Sequence, residues 1–265
     1  MNGDKRGVAL FFNFENFGDP KNRRHGAKED ARKLEKLFTN MELQYVLHSD
    51  LTKETVLNKL EEFTDRKDLK NVGLLFVVFA SHGKNGVIIT SDGSELDLEH
   101  EVYPLFSNSK CPQLIGTPKV CVVNACRGPI VDKGVAVEFE AKPSGSLEEG
   151  SKIVDYKPVY SDFFILYSSA PFFISLRNKY EGSWLITAFV EQMSKSAHCE
   201  EWKDICTRIL TQVGAMQGST KKHNLVKQSP EAVQRGPHKR LFFNLPPGFN
   251  SKVQNFTKLT TTIVL

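Results

Sequence analysis

The stretch Lys119–Gly128, KVCVVNACRG, decides the fold. Val120, Cys121, Val122 and Val123 make a short apolar run rich in β-branched residues, which suits a strand covered on both faces. Pro118 precedes the run and Arg127-Gly128-Pro129 ends it. Cys126 therefore falls just past the carboxyl end of an interior strand, where open α/β sheets bind their ligands. A second continuous apolar run, Val72–Ala80 (VGLLFVVFA), ends in Ser81-His82-Gly83. As parallel neighbours, the two strands would bring His82 and Cys126 out on one edge. Nucleophilic cysteine chemistry needs that pairing, because the thiolate is the reactive species and an imidazole can take its proton and pass it to a leaving amine. Gly83 and Gly128 let the backbone turn sharply and bring amides close to a substrate with no Cβ between.

Working outward, Gly7–Phe14 reads as the first strand, followed by a polar loop, Glu15–His25. Ala27–Phe38, with apolar Ala31, Leu34, Leu37 and Phe38, reads as a helix on one face of a sheet. Leu43–Leu47 is a strand, and Thr52 caps a second amphipathic helix carrying Val56, Leu57, Leu60 and Phe63. This strand–helix–strand–helix–strand order predicts an α/β fold: a mainly parallel central sheet with helices on both faces. Lys84-Asn85-Gly86 predicts a tight turn into a short strand, Val87–Thr90, and Leu96–Phe106 a short helix. Lys142–Lys152, rich in Ser, Gly, Glu and Lys and without periodicity, reads as an exposed linker. Beyond it the pattern predicts a strand at Phe163–Tyr167, a loop at Pro171–Asn178 and helices at Trp184–Ser196 and Trp202–Met216. A long polar loop, Ala215–Gly236, and a last strand, Leu241–Phe243, complete the reading.

With 265 residues, 40% hydrophobic and 25% charged, the chain is long enough for a sizeable core and has the composition of a soluble globular protein. A net charge of +4, with scattered basic residues, argues against a nucleic-acid partner. No segment is long and apolar enough for a membrane span, and the amino terminus lacks the form of a signal peptide. The five cysteines are an odd count with neither CxxC nor Cys/His ligand spacing, so no metal or other cofactor is expected. They fit reduced thiols in a cytoplasmic protein, with Cys111, Cys121, Cys199 and Cys206 as small buried or semi-buried hydrophobes.

Asn124-Ala125-Cys126-Arg127-Gly128 resembles the caspase signature around the catalytic cysteine, with Asn where the family usually has Gln, and Ser81-His82-Gly83 resembles the family's catalytic-histidine motif. The resemblance runs from about Gly7 to Phe243. It implies a single caspase-like catalytic domain over 1–265: a large-subunit region to about 138, an intersubunit linker at 139–157 and a small-subunit region at 158–265. It implies a cysteine endopeptidase cutting after aspartate in apoptosis or related signalling, with Cys126 as nucleophile and His82 as its partner. The backbone N–H groups of Gly83 and Cys126 would form the oxyanion hole, and a backbone carbonyl near Asn22 would orient the imidazole. Arg24 and Arg177 fall where the family holds the substrate's P1 aspartate, a task suited to guanidinium groups. Ser175, Leu176 and Asn124 complete the implied substrate site.

Two positions depart from the family pattern. Asn124 is one methylene shorter than Gln, reaching a carboxylate through a water or not at all, so aspartate selection is expected to be weaker or slower. Leu176 replaces the family's usual Trp in the P2 wall, which bears on the P2 residue rather than the chemistry. For processing, the best-aligned position holds Glu138, not aspartate. Asp155 is the preferred site and Asp132 the alternative. Expected partners are protein substrates with P1 aspartate, and a homodimer or a heterodimer with other caspases. The family's pairing strand corresponds to Glu231–Asn244, where Gly236-Pro237 predicts a weak or induced dimer. With no recruitment segment before Gly7, the resemblance is to an effector or an isolated protease domain. Two rivals remain: a catalytically weak caspase-like regulator that binds caspases or adaptors, and a relative cutting after basic residues. Arg24 and Arg177 oppose the second.

Overall fold

The computed structural model describes residues 6–84, 86–133, 158–220, 222–245 and 249. The chain runs β1 (Val8–Asn13), α1 (Ala27–Asn40), β2 (Gln44–Ser49), α2 (Lys53–Thr64) and β3 (Leu75–Ala80). Three short strands follow, β4 (Gly83–Lys84), β5 (Val87–Ile89) and β6 (Glu95–Asp97), then β7 (Lys119–Asn124) and β8 (Phe163–Tyr167). The two-residue strands β9 (Arg177–Asn178) and β10 (Gly182–Ser183) precede α3 (Trp184–Ser196), α4 (Trp202–Ala215) and β11 (Glu231–Arg235). Six strands form the central sheet in the order β11-β8-β7-β3-β1-β2, parallel except for β11.

Every residue of β1, β3, β7 and β8 is buried, which is why their sequences read as unbroken apolar runs. Alternate side chains go to opposite faces. Phe11, Phe76, Val122 and Leu166 meet α1, α3 and α4 on one side; Phe12, Phe79, Val123 and Ile165 meet α2 and the Tyr103 region on the other. Thr52 caps α2 through a bond from the Thr55 N–H, as its position predicted.

The chain leaves β1 toward β2 on one side and returns to β3 on the other, so the sheet changes direction beside β1. Ligand sites of open sheets lie at such a point, outside the carboxyl ends of the strands. Ala80 of β3 stands opposite Asn124 of β7, so His82 and Cys126 each leave the sheet two residues beyond a paired position.

Leu96–Phe106 holds helix as expected, in two short segments, Leu98–Val102 and Tyr103–Phe106, after its first residues end β6. Three expectations need correction. The polar stretch to Gly236 ends in a strand, β11, whose charged termini are satisfied by Arg127 on Glu231 and Glu99 on Arg235. Leu241–Phe243 is no strand: the Leu241 carbonyl accepts from the Trp202 N–H, and Phe243 packs its ring on Phe76 and Trp202. Cys199 is exposed, whereas Cys111, Cys121 and Cys206 are buried.

Phe243 is fully buried although its backbone is outside the sheet. Phe243→Ala should cost about 3–5 kcal/mol of stability, the usual penalty for emptying an aromatic core site. Urea unfolding measures it; a loss under ~1 kcal/mol would mean that this segment does not close the core.

Candidate active site

Three adjacent parallel strands supply the site from their carboxyl ends. β1 leads into the loop carrying Asn22 and Arg24, β3 into His82-Gly83, and β7 into Cys126. Arg24, Asn124, Cys126, Ser175, Leu176 and Arg177 line one cleft, with about 200 Å³ of empty space partly open to solvent. Ser81 and Ser183 complete its wall.

Arg24 is 1% exposed. Its Nη1 donates to the carbonyls of Phe14 (2.7 Å) and Ala80 (3.0 Å), and Nη2 stands 3.6 Å from the buried Asp30 carboxylate. Its Nε is buried with no partner among the described residues. Burial pushes the guanidinium down to about 10, partly offset by Asp30, so it remains a cation at pH 7. Burial likewise pushes the Asp30 carboxyl up, opposed by Arg24 and Ser183. Arg177 is half-buried and enters from β9, opposite Ser183 of β10; burial lowers its pKa, and the acidic Asp30 is among the groups that oppose the shift. A buried donor left open between two cations is costly unless an anion arrives.

Asn124 lines the cleft with one of its two amide N–H donors already engaged. Its Nδ2 donates to Ser183 Oγ at 2.7 Å, and Ser183 in turn donates Oγ–H to Asp30 (2.6 Å) and its N–H to the same carboxylate (2.7 Å). Ser175 Oγ donates to Asn124 Oδ1 at 3.4 Å. The short amide is thus part of the pocket's floor, tied through Ser183 to the acid that steadies Arg24.

His82 is half-buried, its ring 4.7 Å from that of Phe17. A 2.6 Å bond joins Nε2 to the Asn22 carbonyl. A carbonyl only accepts, so Nε2 carries the proton and Nδ1 is the acceptor of the neutral ring. Burial lowers the His82 pKa, the Asn22 bond opposes that, and Arg177 and Arg24 push it down further. The Cys126 thiol contacts the next wall: Sγ accepts from the Ser175 N–H (3.3 Å) and lies 3.8 Å from the Ser175 carbonyl. The other sulfurs differ in kind. Burial pushes Cys121 up to about 12 and raises Cys111 and Cys206 as well, so these thiols are unreactive packing groups.

Both glycines of the motifs are required by close approach. A Cβ on Gly83 would stand 2.5 Å from the Cys126 carbonyl oxygen, and one on Gly128 would stand 2.2 Å from that of Phe172. Gly83 thereby holds the histidine turn against the backbone of the cysteine. Leu176 lines the cleft yet is fully buried, packing with Trp184 and Val226.

The two processing candidates separate. Asp132 lies apart from the cleft residues, its carbonyl accepting from the Lys227 N–H (2.8 Å) and its carboxylate from Ser229 Oγ (2.6 Å). Asp155, Glu138 and the 139–157 linker lie outside the described residues.

Sequence reading missed Asp30, Ser183 and Gln228. Asp30 had a signal: with Ala27, Leu34 and Leu37 it falls on the buried stripe of α1, where an acid needs a partner. Ser183 looks like an ordinary N-cap of α3, but its hydroxyl makes no cap bond and goes to Asp30 instead.

The comparisons with known proteins bear on the family and the fold. A family model described as the caspase domain matches residues 6–242. The chain is 31% identical to chicken (Gallus gallus) caspase-6 over 218 residues, 78% of this chain and 69% of that protein. It is 32% identical to caspase-3 of the cat (Felis catus) over 213 residues, 79% of this chain and 73% of the relative. The crystal structure of caspase-1 from Spodoptera frugiperda superposes with a TM-score of 0.81 at 23% identity, covering 93% of each chain. The family model and the relatives thus define a cysteine peptidase family. The chain belongs to the caspase family.

An imidazole is neutral, and so free to accept the thiol's proton, only above its own pKa, which burial holds below the ordinary 6.5. Alkylation of Cys126 by iodoacetamide, read by peptide mass to separate it from exposed Cys199, should keep its His82-dependent rate until the pH falls below 6.5. His82→Ala should slow it at pH 7 by about tenfold or more. An inflection above pH 7 that is unchanged in His82→Ala would contradict the pairing.

Proposed function

We propose that the chain is a cysteine endopeptidase that cuts protein substrates after aspartate. The observation that carries this reading is the pair of guanidinium-bearing residues, buried Arg24 and half-buried Arg177, lining one cleft with Cys126. Two guanidinium groups offer paired donors to a carboxylate, and a methionine or asparagine side chain would leave them unmatched. No carboxylate lines the cleft among the described residues, which opposes a preference for basic P1 residues.

In this reading the thiol leaves Ser175 and gives its proton to His82 Nδ1, while Asn22 holds Nε2–H. The thiolate attacks the scissile carbonyl carbon. The N–H groups of Gly83 and Cys126 receive the oxyanion, and preorganised donors of this type supply a large share of the rate. The imidazolium protonates the leaving amine as the C–N bond breaks. Water, deprotonated by the neutral ring, then hydrolyses the thioester and the thiol regains its proton.

We place the activity in the cytoplasm, in programmed cell death or a related signalling cascade. We assign processing to Asp155, because cutting at Asp132 would first require releasing its bonds to Lys227 and Ser229. The open edge of β11 is the place for a second copy, or another caspase, to pair; its five residues and the turn at Gly236 make that pairing weak. A second reading, a catalytically weak regulator, draws support from Asn124, whose amide is committed to Ser183.

Turnover of an Asp-P1 reporter peptide by the purified chain separates the two. The protease reading expects turnover that Cys126→Ala abolishes; equal signals from both proteins would leave only the regulator. Mass mapping after incubation should give a product ending at Asp155. A cut at Asp132 in the folded chain, or no cut, would overturn that assignment.

A further inference from the structure

We infer that Gln228 is a positioning residue of the acid pocket, its side-chain oxygen fixing the place of Leu176 and thereby of Ser175 and Arg177 on either side. The inference rests on the protease reading above and adds to it a residue far from the motifs.

Gln228 is 1% exposed, and its Oε1 accepts from the Leu176 N–H at 2.5 Å. Because the partner is a donor, the oxygen must face it, so the carboxamide orientation follows from the chemistry. Leu176 is held on every side. Its carbonyl accepts from the Trp184 N–H (3.2 Å), and its side chain packs with Trp184 and Val226. Its neighbours, by contrast, serve the cleft: Ser175 gives its N–H to Sγ of Cys126, and Arg177 lines the pocket. The β9 ladder starts only at Arg177, so it offers no strand partner for the Leu176 N–H. A buried amide without an acceptor is costly, and Gln228 supplies that acceptor.

Gln228 can fix a position only if it is fixed itself. On one side, Val226 exchanges two backbone bonds with Gly218 (2.9 and 3.1 Å) and Lys227 donates its N–H to Asp132. On the other, the Ser229 carbonyl accepts from the Ala170 N–H (2.6 Å) and its hydroxyl donates to Asp132. The segment thus clasps together the chain after the nucleophile, the loop after β8 and the pocket wall. The carboxamide nitrogen, Nε2, is buried without a partner among the described residues. An apolar residue would avoid that cost, so the oxygen is the half the site uses.

Gln228→Met, close to Gln in size but without a strong acceptor, and Gln228→Glu, which keeps an oxygen, test this. Three readouts apply to the full chain: exchange of the Leu176 amide, KM and kcat for an Asp-P1 reporter, and alkylation of Cys126 by iodoacetamide. Gln228→Met should speed Leu176 exchange and raise KM, each about tenfold, the effect of one lost hydrogen bond. It should leave kcat and the alkylation rate within about twofold, and Gln228→Glu should restore both exchange protection and KM. Unchanged exchange in Gln228→Met would overturn the inference, as would kcat, KM and alkylation deteriorating together in both variants. If the wild-type chain turns over no reporter, the protease reading falls while the exchange measurement still decides the role of Gln228 at the pocket wall.

Discussion

A guanidinium group taken out of water must have its donors met, and Arg24 meets this constraint only in part. The carbonyls of Phe14 and Ala80 hold one nitrogen at the carboxyl ends of β1 and β3. Asp30, on the buried stripe of α1, compensates the charge from 3.6 Å. Nε is buried without a partner among the described residues. Backbone and one carboxylate keep the cation in place without using its whole donor set. Breaking a buried pair is more damaging than never having built it, so Asp30 and Ser183 belong to the pocket's support as much as Arg24 belongs to its function.

Cys126 and His82 depend on the same strand ends. Equal register of β3 and β7 brings the two motifs to one rim, and the absence of a Cβ at Gly83 lets the backbones touch. The resting thiol bonds to Ser175 rather than to the ring, and Ser175 is next to the residue that Gln228 holds. One short segment, 175–177, therefore both lines the cleft and contacts the Cys126 sulfur.

Much of this was legible from local pattern. Buried parallel strands announce themselves as continuous apolar runs, so the central sheet, the four helices and the positions of His82 and Cys126 could be read directly. β11 was placed only through the resemblance, as the start of the pairing strand at Glu231–Asn244, because its own alternation is faint and its end charges are satisfied by Arg127 and Glu99 from distant parts of the chain. Leu241 and Phe243 misled for the opposite reason: they are as apolar as strand residues, but they fill the core from a segment outside the ladder. In the site, Arg24 and Arg177 were visible only through the family resemblance, since a lone loop arginine carries no local signal. Gln228 was invisible, being a single polar residue in a polar stretch whose partner is 52 positions away.

Asn124 is one methylene shorter than the family's Gln, and its amide reaches Ser183 and so joins the support of Arg24. The central claim is therefore about charge. Binding of two peptide aldehydes that differ only in P1, aspartate against the isosteric but neutral asparagine, measures it most directly. The buried cations should favour the aspartyl compound by about a hundredfold or more; equal affinities would mean that the pocket does not recognise a carboxylate.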